Sequence, residues 1–359
     1  MNPADEPLRA DSRLARRGGA IELLRLPAAL FGAAATLRRA AYDARILPVR
    51  RLEVPVVCVG NLSTGGTGKT PMCALVVQRL AARGLRPGLL SRGYRSAPGG
   101  RNDEALLLER LLPGVPHVQD KDRVRGGRAL VDQGCRSIVL DDGFQHRRLH
   151  RDLDLVLVDA TRPWGLPAPA EGGEPLAALL PRGLLREPAS SLARADLIVL
   201  TRASQAAAAE LAGLEEEIAR CAPGKPVLRA DHRPARLVDE RGGERALGSL
   251  AGMEVDLASG IGNPESFERS VRSLGAHVRV HRTFPDHHAF VAADLTGLAG
   301  LGQDGRALVV TAKDAVKLAP LGARFLALEV ELVIVAGDAV LDAHLDALAL
   351  PVDGSSAHG

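Results

Sequence analysis

Residues 61–71 read Asn61-Leu-Ser-Thr-Gly-Gly-Thr-Gly-Lys-Thr-Pro71, between an apolar run, Val54–Val59, and a helix-like segment, Met72–Ala82. Strand, glycine-rich turn and helix in that order make a phosphate cradle. The glycines let backbone N–H groups close on an anion, and the helix N-terminus adds its dipole. Lys69 is placed to reach the β/γ-phosphates of a nucleotide, and the Thr70 hydroxyl to ligate Mg²⁺. In the pattern G-x-x-x-x-G-K-[ST] the first glycine falls at 63, which here is Ser63, while Gly65-Gly-Thr-Gly-Lys-Thr70 is intact. Residues 63–70 (Ser63, Thr64, Gly65, Gly66, Thr67, Gly68, Lys69, Thr70) are therefore the candidate nucleotide cradle. The loop alone does not say what the nucleotide is for.

Working outward, the apolar runs that follow are short, continuous and rich in Val, Ile and Leu: Pro87–Leu90, Val115–Val118, Ser137–Leu140, Leu153–Val158 and Leu197–Leu200. Helical stretches alternate with them: Glu104–Leu112, Lys121–Gln133 and Ser204–Cys221. Such strands belong to a parallel sheet covered by helices on both faces. The fold class is α/β, a doubly wound, mostly parallel sheet of the P-loop NTPase type, with a second, smaller α/β domain.

A polar, Arg-rich shift at Asp231–Glu244 suits a linker or a β-ribbon, after which the alternation resumes. Expected there are a strand at Val255–Ala258, a turn at Gly260-Ile-Gly-Asn-Pro264 and a helix to Leu274. A strand at Val278–Val280, a helix at Val291–Leu301 and a strand at Ala307–Thr311 follow, and Phe325–Val335 returns the chain toward the first domain. The expected division is 1–50, 51–230 (nucleotide domain), 231–325 (smaller domain) and 326–359, a return segment ending in a disordered tail from Leu350.

The 359 residues are 46% apolar, enough for a sizeable core, with a net charge of +3 and a pI of about 8.8. That balance mildly favours anionic partners such as phosphates or a lipid surface and is not a nucleic-acid signature. The cysteines, Cys58, Cys73, Cys135 and Cys221, form no C-x-x-C pair and read as free thiols of a reducing compartment. The first 19 residues are polar and Arg-rich, without the apolar region of a cleavable signal. Leu26–Leu37 is uncharged and flanked by Glu22, Arg25, Arg38 and Arg39. Twelve residues are too few to span a bilayer, which needs about 20. The segment either lies in a membrane interface or packs as an amphipathic helix on the protein's own core.

Three constellations carry chemistry. Asp141-Asp-Gly-Phe-Gln-His146 closes an apolar strand, where a P-loop protein holds Mg²⁺. Strand alternation lets one of the two carboxylates face the metal. Asp141 is the default, and Asp142 then supports it through a hydrogen bond or reaches the substrate. The cationic run His146, Arg147, Arg148, His150, Arg151 can bind an anionic substrate or sit solvated. Phe284-Pro-Asp-His-His-Ala-Phe290 places Asp286 beside His287 as an acid/base or orienting pair, with no further His or Cys nearby to complete a zinc site. Asp103-Glu104 opens a helix, where acidic residues are common for dipole reasons alone. Thr311-Ala-Lys-Asp-Ala-Val-Lys317 reads as a strand-to-turn ligand site or an ordinary turn.

Together, Val59-Gly-Asn-Leu-Ser-Thr-Gly-Gly-Thr-Gly-Lys-Thr-Pro71, Ser91-Arg-Gly-Tyr94, Asp103-Glu104, Asp141-Asp-Gly-Phe-Gln-His146, Phe284-Pro-Asp-His-His288 and Thr311-Ala-Lys-Asp314 resemble the tetraacyldisaccharide 4'-kinase (lipid A 4'-kinase) family, over about residues 60–315. That family shares the departure at Ser63. Ala312 stands where it usually has Glu.

The resemblance implies ATP- and Mg²⁺-dependent phosphorylation of the 4'-hydroxyl of a tetraacylated glucosamine disaccharide 1-phosphate at the cytoplasmic face of the inner membrane. It implies Asp103 as general base, supported by His287 with Asp286 adjacent, and Lys69 acting on the transferred phosphate. Tyr94, Arg123, Gln145 and His146 are implied substrate contacts, and Thr70, Asp141 and Asp142 the metal residues. It favours the interfacial reading of Leu26–Leu37. The expected partners are the lipid disaccharide and a membrane surface, with no nucleic acid and no obligate protein. A P-loop switch ATPase would use the same loop and aspartates but has no need of the distant Asp-His pair. A kinase of a soluble sugar or nucleoside would leave the interfacial segment idle.

Overall fold

The computed structural model describes residues 18–93, 102–166, 177–298 and 306–349. Tyr94 and the tail from Leu350 lie outside the described residues. Twelve strands among them form one sheet, ordered β10-β9-β11-β12-β7-β6-β5-β1-β4-β2-β3, with β8 on β7. The strands are β1 Val56–Asn61, β2 Pro87–Ser91, β3 His117–Gln119, β4 Ser137–Asp141, β5 Leu153–Asp159, β6 Leu197–Thr201, β7 Val227–Asp239, β8 Glu244–Arg245, β9 Glu254–Ser259, β10 His277–Thr283, β11 Ala307–Thr311 and β12 Leu326–Ala336. The helices are α1 Arg25–Asp43, α2 Lys69–Ala82, α3 Asp103–Leu111, α4 Arg123–Asp132, α5 Ala208–Cys221, α6 Pro264–Ser273, α7 Ala312–Leu318 and α8 Asp338–Ala349.

β1 lies centrally, parallel to both β4 and β5, and every one of its residues is buried. Its side chains alternate between two cores. Val56 and Cys58 join one with Leu140, Phe144 and Ile198, while Val57 and Val59 join the other with Met72, Val76 and Val199. A strand covered on both faces has no polar side, so its sequence reads as an unbroken apolar run.

The polar stretch after residue 230 is not a linker loop. It is the outer half of β7, paired antiparallel with β12 from Leu326↔Asp239 to Ala336↔Arg229. Both strands serve two cores: Leu228, Ala230, Leu332 and Ile334 pack in the nucleotide half, and Leu237, Leu326 and Leu328 in the smaller half. All other pairings except β7–β8 are parallel.

Four local expectations need correction. The helix expected over Val291–Leu301 is a 3₁₀ turn, Ala292–Leu295, in the described part. There the Asp294 carboxylate accepts from the Val291 N–H, and Gly297 takes a positive φ. The helix expected from Ser204 starts at Ala208. Arg202 is left-handed, and the Ser204 N–H is drawn away to Asp231. Within 326–359, read as a return segment ending in a disordered tail from Leu350, Asp338–Ala349 is a helix. Arg79 of α2 and Arg83, its C-cap, pin it by ion pairs to Asp338, Asp342 and Asp346. The twelve-residue N-terminal segment is part of a 25-residue helical stretch, Gly19–Asp43, long and apolar enough by length and composition to cross a membrane.

Candidate active site

The phosphate loop joins β1 to α2 as the sequence implies. Gly65 and Gly68 take φ of 127° and 92°, values open to glycine, and Gly68 caps α2 so that Lys69 and Thr70 sit in its first turn. Tertiary contacts hold the loop's shape. Asn61 donates to Thr67 Oγ1 (2.9 Å), Thr201 Oγ1 donates to the Thr67 carbonyl (2.9 Å) and Arg202 donates to the Gly66 carbonyl (2.8 Å). Thr64 donates its N–H to the Leu184 carbonyl (2.7 Å), and Ser63 bridges to Leu185. The main chain at Thr64 is thus tied to the 184–185 segment, and the cradle proper begins at Gly65. His232 of β7 lies half-buried against Gly68, and desolvation beside Arg202 lowers its pKa to about 3, so it is neutral.

The loop also touches the smaller half. A Cβ added to Gly262 would lie 2.4 Å from the Gly66 nitrogen, so the Gly260–Asn263 turn abuts the loop. Arg202 joins the two halves at that point, pairing with Asp159 and donating to Ser266 Oγ (2.9 Å). Asn263 donates to the same Asp159 (2.9 Å), and Arg162 pairs with Glu265. Sequence reading missed Arg202, Asp159 and Asn263 as site residues, because nothing local links residues 43 to 104 positions apart.

The two strand-end aspartates have opposite surroundings. Asp142 is left-handed (φ 53°); Arg186 Nη1 lies 2.8 Å from both of its oxygens and Lys69 Nζ 3.6 Å from one. Burial pushes its carboxyl up, but those cations outweigh it and hold the group well below the usual range. Asp141, 3% exposed, meets the Cys73 thiol at 3.6 Å. Burial, then repulsion from Glu104, raises it to about 7. A buried carboxylate without a strong cation partner, touching Cys73 one helix turn after Thr70, suits a divalent cation that keeps most of its oxygen ligands from phosphates and water. Among the described residues no cluster of three or more His, Cys, Asp or Glu side chains could hold a metal alone.

Across the site, Asp103 and His287 come together although 184 positions separate them. His287 Nδ1 lies 3.1 and 3.0 Å from the two Asp103 oxygens. Asn102 caps α3 by accepting from Ala105 N–H (3.0 Å) and is itself held by Gln119 (2.9 Å), so Asp103 stands at the first helical position. His287 is left-handed (φ 63°), and its N–H donates to Asp286 (3.0 Å). Strained backbone at Asp142, Arg202 and His287 thus clusters here. Lys313 Nζ donates to Asp286 (3.0 Å) and lies 3.6 Å from Glu104 and 3.9 Å from Asp103; Lys317 is 3.9 Å from Asp103 and paired with buried Asp314 (2.8 Å). Burial alone would raise the Asp103 carboxyl, but the His287 hydrogen bond and these ammonium groups bring it down to about 2.

The remaining predicted residues belong to the half of the sheet that carries the phosphate loop. Arg123 is buried at the start of α4 and donates to the Asp120 carbonyl (2.7 Å). Burial and the charge of Arg92 lower its pKa, while Asp142 and Asp141 oppose the shift. Gln145 donates to the Asn61 carbonyl (2.9 Å), so in this structure it braces the end of β1. His146 is lowered to about 4 by burial and by Arg123 and is neutral.

Comparison with known proteins gives one consistent result. The family model of tetraacyldisaccharide-1-P 4'-kinase (LpxK) matches residues 20–349. The tetraacyldisaccharide 4'-kinase of Anaeromyxobacter dehalogenans strain 2CP-C is 42% identical over 347 residues, 90% of this chain and 89% of its own length. That of Syntrophus aciditrophicus strain SB is 37% identical over 312 residues, 79% of this chain and 81% of its own. Among solved structures, LpxK from Aquifex aeolicus in complex with ATP superposes with a TM-score of 0.71 at 28% identity, over 92% of this chain and 100% of that one. The match spans both halves of the sheet, including the elements that bring the loop, the aspartates and the Asp103–His287 contact to one place, and the chain belongs to the tetraacyldisaccharide-1-P 4'-kinase family.

Proposed function

We propose that this chain transfers the γ-phosphoryl group of ATP to the 4'-hydroxyl of a tetraacylated glucosamine disaccharide 1-phosphate, with Asp103 accepting the hydroxyl proton. Family membership carries the kinase activity. The observation that carries the base assignment is the 3.0 Å contact of His287 with an ionised Asp103, held beside the phosphate loop by both halves of the sheet. Phosphoryl transfer leaves the protein mainly positioning and charge to supply. Gly65–Thr70 cradles the phosphates, Lys69 leaves Asp142 to reach them, and Arg186 keeps Asp142 neutralised when it does. Asp141 and Thr70 would hold Mg²⁺, which when bound offsets phosphate charge. Asp103 needs only to take a proton as the hydroxyl attacks. Arg123 and His146 suit the acceptor's polar head. The direct test is transfer of labelled γ-phosphate to the disaccharide 1-phosphate in mixed micelles. Equal ADP release without the lipid acceptor would instead favour a switch ATPase.

The acceptor is a lipid, and α1 is suited to meet it at a membrane surface. At 100° per residue, Leu26, Leu30 and Leu37 fall within about 40° of arc. They are 71%, 66% and 73% exposed, whereas Ala28, on the opposite face, is buried. Both ends of the helical stretch are tied to the body, Glu22 to Arg182 (2.7 Å) and Asp43 to Arg147 (2.7 Å). Those ties favour a helix lying flat in the interface over one crossing the bilayer, at the cytoplasmic face where ATP is available. Changing Leu26, Leu30 and Leu37 together to serine should cut recovery on anionic vesicles by about tenfold or more, since each buried leucine contributes roughly 1.5–3 kcal/mol. Unchanged recovery would sink the interfacial role.

A further inference from the structure

We propose that Lys313 selects the tautomer of His287: its ammonium donates to Nε2, leaving the ring neutral with its one proton on Nδ1, directed at the Asp103 carboxylate. This deepens the reading of Asp103 as base and rests on it. The two ring nitrogens face different partners. Nδ1 lies 3.0 Å from Asp103, and Nε2 lies 3.4 Å from Lys313 Nζ. An ammonium has donors and no lone pair, so it meets Nε2 favourably only when that nitrogen is unprotonated. An Nε2–H ring, or an imidazolium, would set two donors against each other at that distance.

Lys313 is itself fixed. It leaves the first turn of α7, donates to Asp286 (3.0 Å) and lies 3.6 Å from Glu104. Burial would favour its neutral form, but Asp286, Glu104 and Asp103 outweigh burial and raise its pKa, so it remains a cation. Asp286 thus performs two tasks: it accepts the His287 N–H and anchors the lysine that sets the ring. The consequence is chemical. A hydrogen bond from Nδ1–H orients the Asp103 carboxylate and stabilises its ionised form, leaving its other lone pairs for the acceptor hydroxyl. Lys313 is therefore a positioning residue, acting on the base through the imidazole.

The test uses the full-length chain labelled with ¹⁵N-histidine, His287 signals being identified by their loss in His287→Gln. Near neutral pH the wild type should show the neutral Nδ1–H form. Lys313→Met should replace it with Nε2–H or imidazolium, and Lys313→Arg, still purely a donor, should retain it. In mixed micelles Lys313→Met should lower kcat by about 10–100-fold, with KM for ATP within about twofold. The charged groups facing the ring are Asp103 and Glu104 from α3, Asp286 from its own loop and Lys313 from α7. Removing the cation leaves only carboxylates around Nε2 and Nδ1, which is why Lys313→Met should lose the neutral Nδ1–H form. An Nε2–H ring in the wild type overturns the proposal without any variant, as does an unchanged Nδ1–H ring in Lys313→Met. Asp103→Asn keeping most of its turnover would instead remove the base assignment and leave the tautomer result standing.

Discussion

Asp103→Ala should lower kcat by about 10²–10⁴-fold while KM for ATP stays within about twofold. The separation follows from position. Asp103 sits at the first position of α3, outside the Gly65–Thr70 cradle, and its side chain meets His287, Lys313 and Lys317. Its removal takes away the proton acceptor and leaves the phosphate contacts in place. Because its carboxyl is held at about 2, the wild-type base is ionised throughout the assayable range, and the deficit should not shrink as pH rises. Linkage gives a second signature. A carboxyl lowered in the folded state stabilises it above the unfolded pKa, near 3.9, and loses that contribution as pH falls through about 2. The variant should therefore melt below wild type at neutral pH and converge with it in acid, so turnover is to be measured well under both midpoints. Turnover close to wild type in the folded variant would show that Asp103 is not the base.

Asp141→Asn should abolish most Mg²⁺-dependent turnover and at the same time stabilise the protein when metal and nucleotide are withheld. The carboxyl is buried and raised to about 7, so the folded state binds its proton more tightly than the unfolded state does. Stability from that proton is complete below the unfolded pKa near 3.9 and is lost as pH rises toward 7. At pH 8 the wild type thus carries an uncompensated buried charge, which the amide removes. The expected gain is a few degrees in thermal midpoint at pH 8, vanishing at pH 4. Added Mg²⁺ with a non-hydrolysable nucleotide should raise the wild-type midpoint and barely move the variant's. An equal Mg²⁺ shift in both proteins would move the metal to other ligands, Asp142 first.

The divide between what could be read from the chain and what could not follows interaction range. The cradle was legible because its residues are consecutive and glycine has a local reason to be there. The strands of the nucleotide half were legible because burial on both faces leaves no polar side. Elements whose ends depend on distant partners were misread. The expected Val291–Leu301 helix gives way to a 3₁₀ turn where Asp294 serves His288 and the Val291 N–H. Helix α8 is held by Arg79 and Arg83, more than 250 positions away. Arg186 and Arg202 escaped as site residues because a lone basic residue carries no pattern until its carboxylate partner is placed, and Lys313 and Lys317, inside a candidate ligand stretch, could not be matched to Asp103.

By itself the sequence determined the chemistry available: a phosphate loop with its lysine and threonine, carboxylates at a strand end, and an Asp-His pair in a second α/β unit. These are short patterns, set by backbone conformation and residue type. The tertiary structure decided how that chemistry is apportioned. It made Asp141 and Asp142 unequal, one left buried without a strong cation partner and one neutralised by Arg186 and Lys69. It carried His287 across to Asp103 and set Lys313 behind the ring. Charge states and tautomers depend on which groups meet in a low-dielectric interior, and only the β7–β12 ribbon joining the two halves brings these groups within reach.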